Sequence, residues 1–292
     1  MLHKSIKEEA EKILTKYYNE PITITKTTSI SGGSINDAWR LETNDEPFFL
    51  KYNKSDLYPD MFDKEAKGLQ ILRDTRTVYV PEIIGTGQAD NFSFIVMEYI
   101  EPGSRRNDFW FDFASKLAQM HQNTTNQFGL DHDNYMGSLQ QFNKFHENFY
   151  DFFILERLEP QLRLARDKGK LNEGHVKKFE QLYKELKNII PEEKPALVHG
   201  DLYRGNYVVS HNGTATIIDP AIAYSHREVD IAMSNLFGVF DQEFYDTYNN
   251  YFPMEKGWEE RIEIFNLYPL LIHVNLFGIA YLSSVERIIK DF

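Results

Sequence analysis

Apolar residues at Ile6, Ala10, Ile13, Leu14, Tyr17 and Tyr18 recur at helical spacing among Glu and Lys, which predicts a surface helix over residues 5–18. Ile22–Thr25 and then Ser29–Leu41 read as strand, glycine turn and strand, with Gly32 and Gly33 at the turn. Phe48–Tyr52 follows as a buried strand that brings in a lysine, Lys51. Phe62, Ala66, Leu69 and Leu72 lie on one face of a helix over about 61–73. Val78–Val80, stopped by Pro81, and the apolar run Phe92–Ile100 complete this strand-rich part, and Glu101-Pro102-Gly103-Ser104 marks a break. Beyond it the period changes to that of helices, over roughly 108–122, 146–168, 172–189, 227–249 and 258–289. The pattern predicts an α+β chain of two lobes, a small β-rich one over 1–100 and a larger, mostly helical one over 101–292, with a cleft at the break.

The helical run is interrupted over 197–221. There Tyr207–Ile218 reads as two β-branched runs around Asn212-Gly213, the signature of a two-residue type I′ hairpin. In that register partner numbers sum to 425, so Asn206 is expected opposite Asp219, close enough for both side chains to grip one cation.

Composition narrows the function. A chain of 292 residues with 42% hydrophobic residues has length enough for a sizeable core. Its formal charge of −12 argues against nucleic acid or an anionic membrane as partner. With no cysteine there is no thiolate catalysis and no zinc–thiolate site. The polar first helix is no signal peptide and no apolar run reaches spanning length, so a cytoplasmic home is expected.

His199-Gly200-Asp201-Leu202-Tyr203-Arg204-Gly205-Asn206 has the spacing of a kinase catalytic loop. Phosphoryl transfer needs a carboxylate to align and deprotonate the attacking hydroxyl beside bound magnesium. Asp201 is the expected base, and Asn206 and Asp219 the expected ligands of Mg2+. Lys51 suits the α- and β-phosphates of ATP, with Glu65 on the next helix as its partner. Gly32, Gly33 and Ser34 are positioned to cover the phosphates with backbone N–H groups. Met97, Glu98 and Ile100 stand, by order along the chain, where an adenine hinge belongs. Asp230, eleven residues after Asp219, either caps the helix that follows or braces the catalytic loop from below. So short an interval leaves no room for a long phosphorylatable activation segment, which favours a small-molecule kinase over a regulated protein kinase.

The sequence resembles the fructosamine kinase (ketosamine-3-kinase) family of the kinase-like superfamily that includes aminoglycoside and choline kinases. The resemblance covers nearly the whole chain. It is carried by Gly33-Ser34-Ile35-Asn36, Lys51, Glu65, Met97-Glu98-Tyr99, Arg157-Leu158-Glu159-Pro160 and His199-Gly200-Asp201-Leu202. Most specific are Ile218-Asp219-Pro220-Ala221 and His226-Arg227-Glu228-Val229-Asp230. The resemblance implies a bilobal protein-kinase-like fold whose first lobe binds the nucleotide, ATP and Mg2+ as cofactors, and a ketosamine or glycated lysine phosphorylated on its 3-hydroxyl. It further implies substrate contacts from Asn134, Gln141, Phe149, Phe153, His226 and Glu228. Tyr203 and Phe149 stand where the family usually carries tryptophan, and Ser34 where eukaryotic members carry cysteine. The alternatives are a kinase for another small acceptor, such as an aminoglycoside, choline or a sugar, and a non-catalytic kinase-like binding module. A metal-dependent hydrolase built on His199, Asp201 and His211 is disfavoured, because the expected register puts His211 at the turn.

Overall fold

The computed structural model describes residues 1–31 and 35–292. The chain forms two units: Met1–Phe109 with Val208–Asp219, and Trp110–Tyr207 with Pro220–Phe292.

In the first unit, helix α1 (Lys4–Tyr18) precedes strands β1 (Ile24–Ile30), β2 (Asp37–Thr43) and β3 (Phe48–Lys54). Helix α2 (Met61–Asp74) and strands β4 (Ile83–Ala89) and β5 (Phe92–Glu98) follow. The strands make one antiparallel sheet in the order β1-β2-β3-β5-β4. Ile6, Ala10 and Leu14 of α1 pack with Leu41, Leu50, Phe94 and Val96 of the sheet. The β4 strand is absent from the apolar pattern because two of its positions are glycines, and the packing explains them. A Cβ at Gly85 or Gly87 would press into Ile13 of α1, and one at Gly87 also into the Phe94 ring. The Val78–Val80 run forms no strand; Tyr79 makes a single bridge to Thr216.

Helix α3 (Phe109–Met120), all but its first residue in the second unit, is followed by the short hairpin β6 (Asn134–Met136) and β7 (Leu139–Gln141). The expected helix over 146–168 is α4 (Phe149–Phe152), a π-helical turn over Phe153–Leu158, and α5 (Glu159–Asp167). Helix α6 (Glu173–Ile189) is capped by Asn172, whose side chain accepts from His175 N–H. Strand β8 (Ala196–Val198) leads to the 199–206 loop. The chain then forms the hairpin β9 (Tyr207–Val209) and β10 (Ala215–Ile217) and returns through β11 (Ala223–Ser225), antiparallel to β8. The expected helix over 227–249 is two, α7 (Glu228–Leu236) and α8 (Gln242–Tyr251), parted at Gly238 with φ 94° and restarted by the Asp241 cap. That over 258–289 is three: α9 (Trp258–Phe265), α10 (Leu267–Phe277) and α11 (Leu282–Ile289), with Gly278 at φ 101° ending α10. Phe152, Leu158, Leu182, Leu271, Val274 and Val285 form the buried centre of this unit. Among the described residues no helix is long and apolar enough to cross a membrane.

The β9–β10 turn corrects the expected register. Ser210 N–H donates to Thr214 O at 2.9 Å and Gly213 N–H to Ser210 O at 2.8 Å. A type I′ turn needs positive φ at both central residues, but of Asn212 and Gly213 only the glycine has it, at 77°. The loop is therefore three residues, His211–Gly213, in the form of a type I turn with a glycine bulge. Ser210 opposite Thr214 makes partner numbers sum to 424, so the pairing that set Asn206 against Asp219 is not the one adopted.

Candidate active site

The first unit gathers one cation and two carboxylates. Lys51 is on β3, paired with Ala38 on one side and Ile95 on the other, and is 4% exposed. Its Nζ lies 2.6 Å from Glu65 Oε1 on α2 and 2.5 Å from Asp219 Oδ1 just beyond β10. Burial works against the ammonium, yet attraction to Asp219 and Glu65 holds its pKa above the ordinary lysine value. Burial pushes the Glu65 carboxyl up to about 7, against the pull of Lys51. Asp219 is left-handed, with φ 54°, a conformation that aspartate tolerates better than most residues.

At the end of β5, Met97 is buried, and Glu98 N–H donates to Glu82 O at 2.8 Å. The Glu98 carboxylate accepts from the Tyr79 hydroxyl at 2.9 Å and from Glu82 N–H at 3.1 Å, and Ile100 lies just past the strand. The expected phosphate cover, Gly32, Gly33 and Ser34, lies outside the described residues.

The second unit holds the His199–Asn206 loop in place from beneath. Asp230 is fully buried on α7, and its Oδ2 and Oδ1 accept from the backbone N–H groups of His199 and Gly200 at 2.7 and 2.8 Å. The bracing role expected of Asp230 is therefore the one it fills. Two residues that the sequence did not single out complete this support. His121 Nε2 lies 3.1 Å from Asp230 Oδ2, and its Nδ1 2.7 Å from the Tyr248 hydroxyl. No spacing connects these positions; they meet only because α3, α7 and α8 pack together. Gly200 has φ 82°, and a Cβ there would collide with the carbonyl oxygen of Ala221, so the loop requires glycine at this point. Ala221 N–H in turn donates to His199 O at 2.9 Å.

Asp201 and Asn206 meet across this loop. Asn206 Nδ2 donates to the Asp201 carbonyl and to its Oδ2, both at 2.8 Å. The loop is anchored at its far end by Tyr207, which packs against Trp110, Phe113 and Phe240.

The six residues expected to touch substrate fall into two buried groups. Gln141 Nε2 donates to Asn134 Oδ1 and to Ala221 O, both at 2.9 Å, and Asn134 Nδ2 donates to Ile222 O, so the β6–β7 hairpin fastens the chain just after Asp219. Phe149 stacks on Phe153 and also packs against His226, with centroid distances of 5.3 Å in both cases. Burial drives the His226 pKa down to about 4, so the ring is neutral near pH 7. Glu228 is 2% exposed, and both its oxygens are taken by Arg261, at 2.8 and 2.6 Å. Arg227 makes the parallel bidentate pair with Glu193, at 2.8 and 2.7 Å. The cavity beside Gln141, Phe153, Arg157, Gly200 and Tyr268 has a volume of about 20 Å³, room for about one water and not for a sugar. In this conformation all six side chains are buried among other protein groups.

The model of the fructosamine kinase family matches residues 6–292. A protein named probable ketoamine kinase from Enterococcus faecium is 39% identical over 270 residues, covering 91% of this chain and 95% of that one. The chloroplastic protein-ribulosamine 3-kinase of Arabidopsis thaliana is 37% identical over 289 residues, covering 97% of this chain and 86% of its own. The crystal structure of a candidate fructosamine-3-kinase from Haemophilus somnus 129PT superposes with a TM-score of 0.88 at 28% identity, over 97% of this chain and 96% of that one.

Proposed function

We propose, on the premise that the chain belongs to the fructosamine kinase family, that it transfers the γ-phosphoryl group of ATP to the 3-hydroxyl of a ketosamine, the adduct of a sugar with an amine. The observation that carries this reading is the His199–Asn206 loop: its backbone is anchored to the buried Asp230, and Asp201 is tied to Asn206 at 2.8 Å.

In this reading Asp201 accepts the proton of the acceptor hydroxyl as its oxygen forms a bond to the γ-phosphorus and the bond to the bridging oxygen of ADP breaks. Fixing Asp201 in advance avoids an ordering cost at the moment of reaction. Lys51, kept cationic by its carboxylates, serves the α- and β-phosphates, and Glu65 sets its direction. Met97, Glu98 and Ile100 serve as the adenine hinge, and Gly32, Gly33 and Ser34 as the phosphate cover. Asn206 and Asp219 fit Mg2+ by donor chemistry: the Asn206 amide nitrogen is committed to Asp201, which turns its carbonyl oxygen into the ligand, and a carboxylate is the matching hard donor. Bound there, the ion would neutralise charge on the phosphate oxygens. Asn134, Gln141, Phe149, Phe153, His226 and Glu228 shape the acceptor side through the backbone they hold. The ketosamine acceptor is supported by the substrates in the names of the relatives, among them the ribulosamine of the Arabidopsis enzyme.

The test is ADP release in the presence of Mg2+ with ribuloselysine and fructoselysine, set against choline and kanamycin. Turnover is expected with a ketosamine and should fall roughly 10³-fold in Asp201→Asn, within the range for loss of a general base. Turnover confined to choline or kanamycin would overturn the acceptor class and leave the kinase.

A further inference from the structure

The Arg157-Leu158-Glu159-Pro160 motif puts a cation inside the second unit. Arg157 is 6% exposed and belongs to the π-helical turn Phe153–Leu158, with its guanidinium over the rings of Phe152 and Tyr268 at 4.4 and 5.4 Å. Arg227 and Arg261 are each matched by a carboxylate, but Arg157 spends its donors on neutral oxygens. Its Nη1 donates to the carbonyls of Phe142 and Glu156, and its Nη2 to Asn143 Oδ1 at 2.7 Å. Pro160 lacks the N–H that would close an α-helical turn on Glu156 O, and the guanidinium donates to that carbonyl instead. A buried cation that no carboxylate neutralises is a costly piece of framework, so its neutral partners call for a reason.

From this cation a line of buried amides runs to the backbone beside the His199–Asn206 loop. Asn143 donates from Nδ2 to Asn134 Oδ1 at 3.1 Å, and Asn134 from Nδ2 to Ile222 O at 2.9 Å. A second line starts at the Tyr268 hydroxyl, which donates to Gln141 Oε1 at 3.0 Å. Gln141 Nε2 then donates to Ala221 O and to Asn134 Oδ1, where the two lines meet. Ala221 O lies against Gly200, in the space a Cβ would take, and Ala221 N–H donates to His199 O. A side-chain amide can face either way, but a guanidinium only donates. Arg157 therefore sets the direction of the first line, with oxygens turned toward the cation and N–H groups toward the backbone of 221–222. The Tyr268 hydroxyl, spent as a donor, does the same for the second. We infer that Arg157 and Tyr268 are positioning residues for phosphoryl transfer. They orient the amides that hold Ala221 and Ile222, and Ala221 in turn holds the loop that carries Asp201. The inference rests on the kinase reading above and gives neither residue a contact with substrate.

The test measures ADP release by the full-length protein with ATP, Mg2+ and whichever of ribuloselysine, fructoselysine, choline or kanamycin the wild type uses. Arg157→Lys keeps the charge and loses the planar fork; Tyr268→Phe keeps the ring and loses the donor. Each should lower kcat about tenfold with KM for ATP unchanged, the effect of one misdirected hydrogen bond. In both variants hydrogen–deuterium exchange of the 199–206 segment should quicken while α6 keeps its wild-type protection. A role in stability alone would quicken α6 and leave kcat of the folded protein unchanged. That pattern, or wild-type kcat in either variant, overturns the inference; if Arg157→Lys does not fold, Tyr268→Phe decides. Transfer only to choline or kanamycin overturns the ketosamine acceptor and leaves the inference to these variants. No transfer by the wild type to any of the acceptors overturns the kinase reading and the inference with it.

Discussion

Lys51 faces two carboxylates, Glu65 and Asp219, whereas Arg227 and Arg261 face one each, Glu193 and Glu228. Both regions remove cations from water, but they balance them differently. Each arginine is matched by one carboxylate in a bidentate pair, and Arg227 also donates to the carbonyls of Phe252 and Pro253. Such a cluster is self-sufficient: charges cancel, donors are used, and nothing further is called for. The lysine corner is left with surplus negative charge. The one ammonium reaches both carboxylates but carries a single charge against two, burial raises the Glu65 pKa, and Asp219 sits in a left-handed backbone conformation. A surplus of this kind is out of place in a scaffold and appropriate where a divalent cation and phosphates arrive. The same residue types are thus read as machinery in one region and as framework in the other.

Substitutions can break this contrast. The largest effect is expected from Lys51→Met. Loss of a preorganised cation should lower kcat/KM for ATP by about 10²–10³-fold, measured by ADP release. The variant should also show a pH signature. Glu65 titrates in the folded chain near 7, above its unfolded value, so ionising it above that pH costs stability and the penalty disappears as pH falls through 7. Without Lys51 nothing lowers this pKa, and the thermal midpoint should rise more steeply than in the wild type between about pH 8 and about pH 6. Arg261→Met tests the other cluster. It leaves Glu228 buried and unpaired, at a cost of about 3 kcal/mol in chemical denaturation, and Arg261→Met with Glu228→Met should recover most of it. If Glu228 is framework, KM for the acceptor stays unchanged in the double variant; a marked rise would make Glu228 a substrate contact. Asp230→Asn should act on rate more than on binding. Its neutral amide holds the His199 and Gly200 N–H groups less well, and a roughly tenfold loss of kcat at constant KM for ATP is expected. The smallest effect concerns the turn. Gly213→Ala should cost about 1 kcal/mol, because its φ is positive, whereas Asn212→Ala should be nearly silent. Equal costs would restore the two-residue turn.

The His199–Asn206 loop was legible because its kinase-like pattern is written in local spacing, and the Lys51 strand because a cation among Phe and Leu needs a reason. Both depend on side-chain type at short range. What escaped depends on packing. Glycines at 85 and 87 look like breakers until α1 is laid across β4. The three-residue strands at 134–136 and 139–141 are too short for a period to show. The long helical patterns over 227–249 and 258–289 keep their apolar spacing across Gly238 and Gly278, so the breaks appear only in the backbone angles. The hairpin was recognised but its turn misjudged, since Asn-Gly serves both a two-residue turn and the end of a three-residue one. His121 and Tyr248 have no local signature at all.

Asp230 has a consequence for how the molecule breathes. Loop amides usually trade their hydrogens with solvent through small local openings, while core amides wait for large ones. The N–H groups of His199 and Gly200 lie in a loop, yet they end on a carboxylate that is fully buried and wedged against His121. Their hydrogens are therefore expected to exchange as slowly as those of the helical core, which hydrogen–deuterium exchange would read. On this expectation the loop that carries Asp201, the proposed base, opens no more readily than the helices packed beneath it.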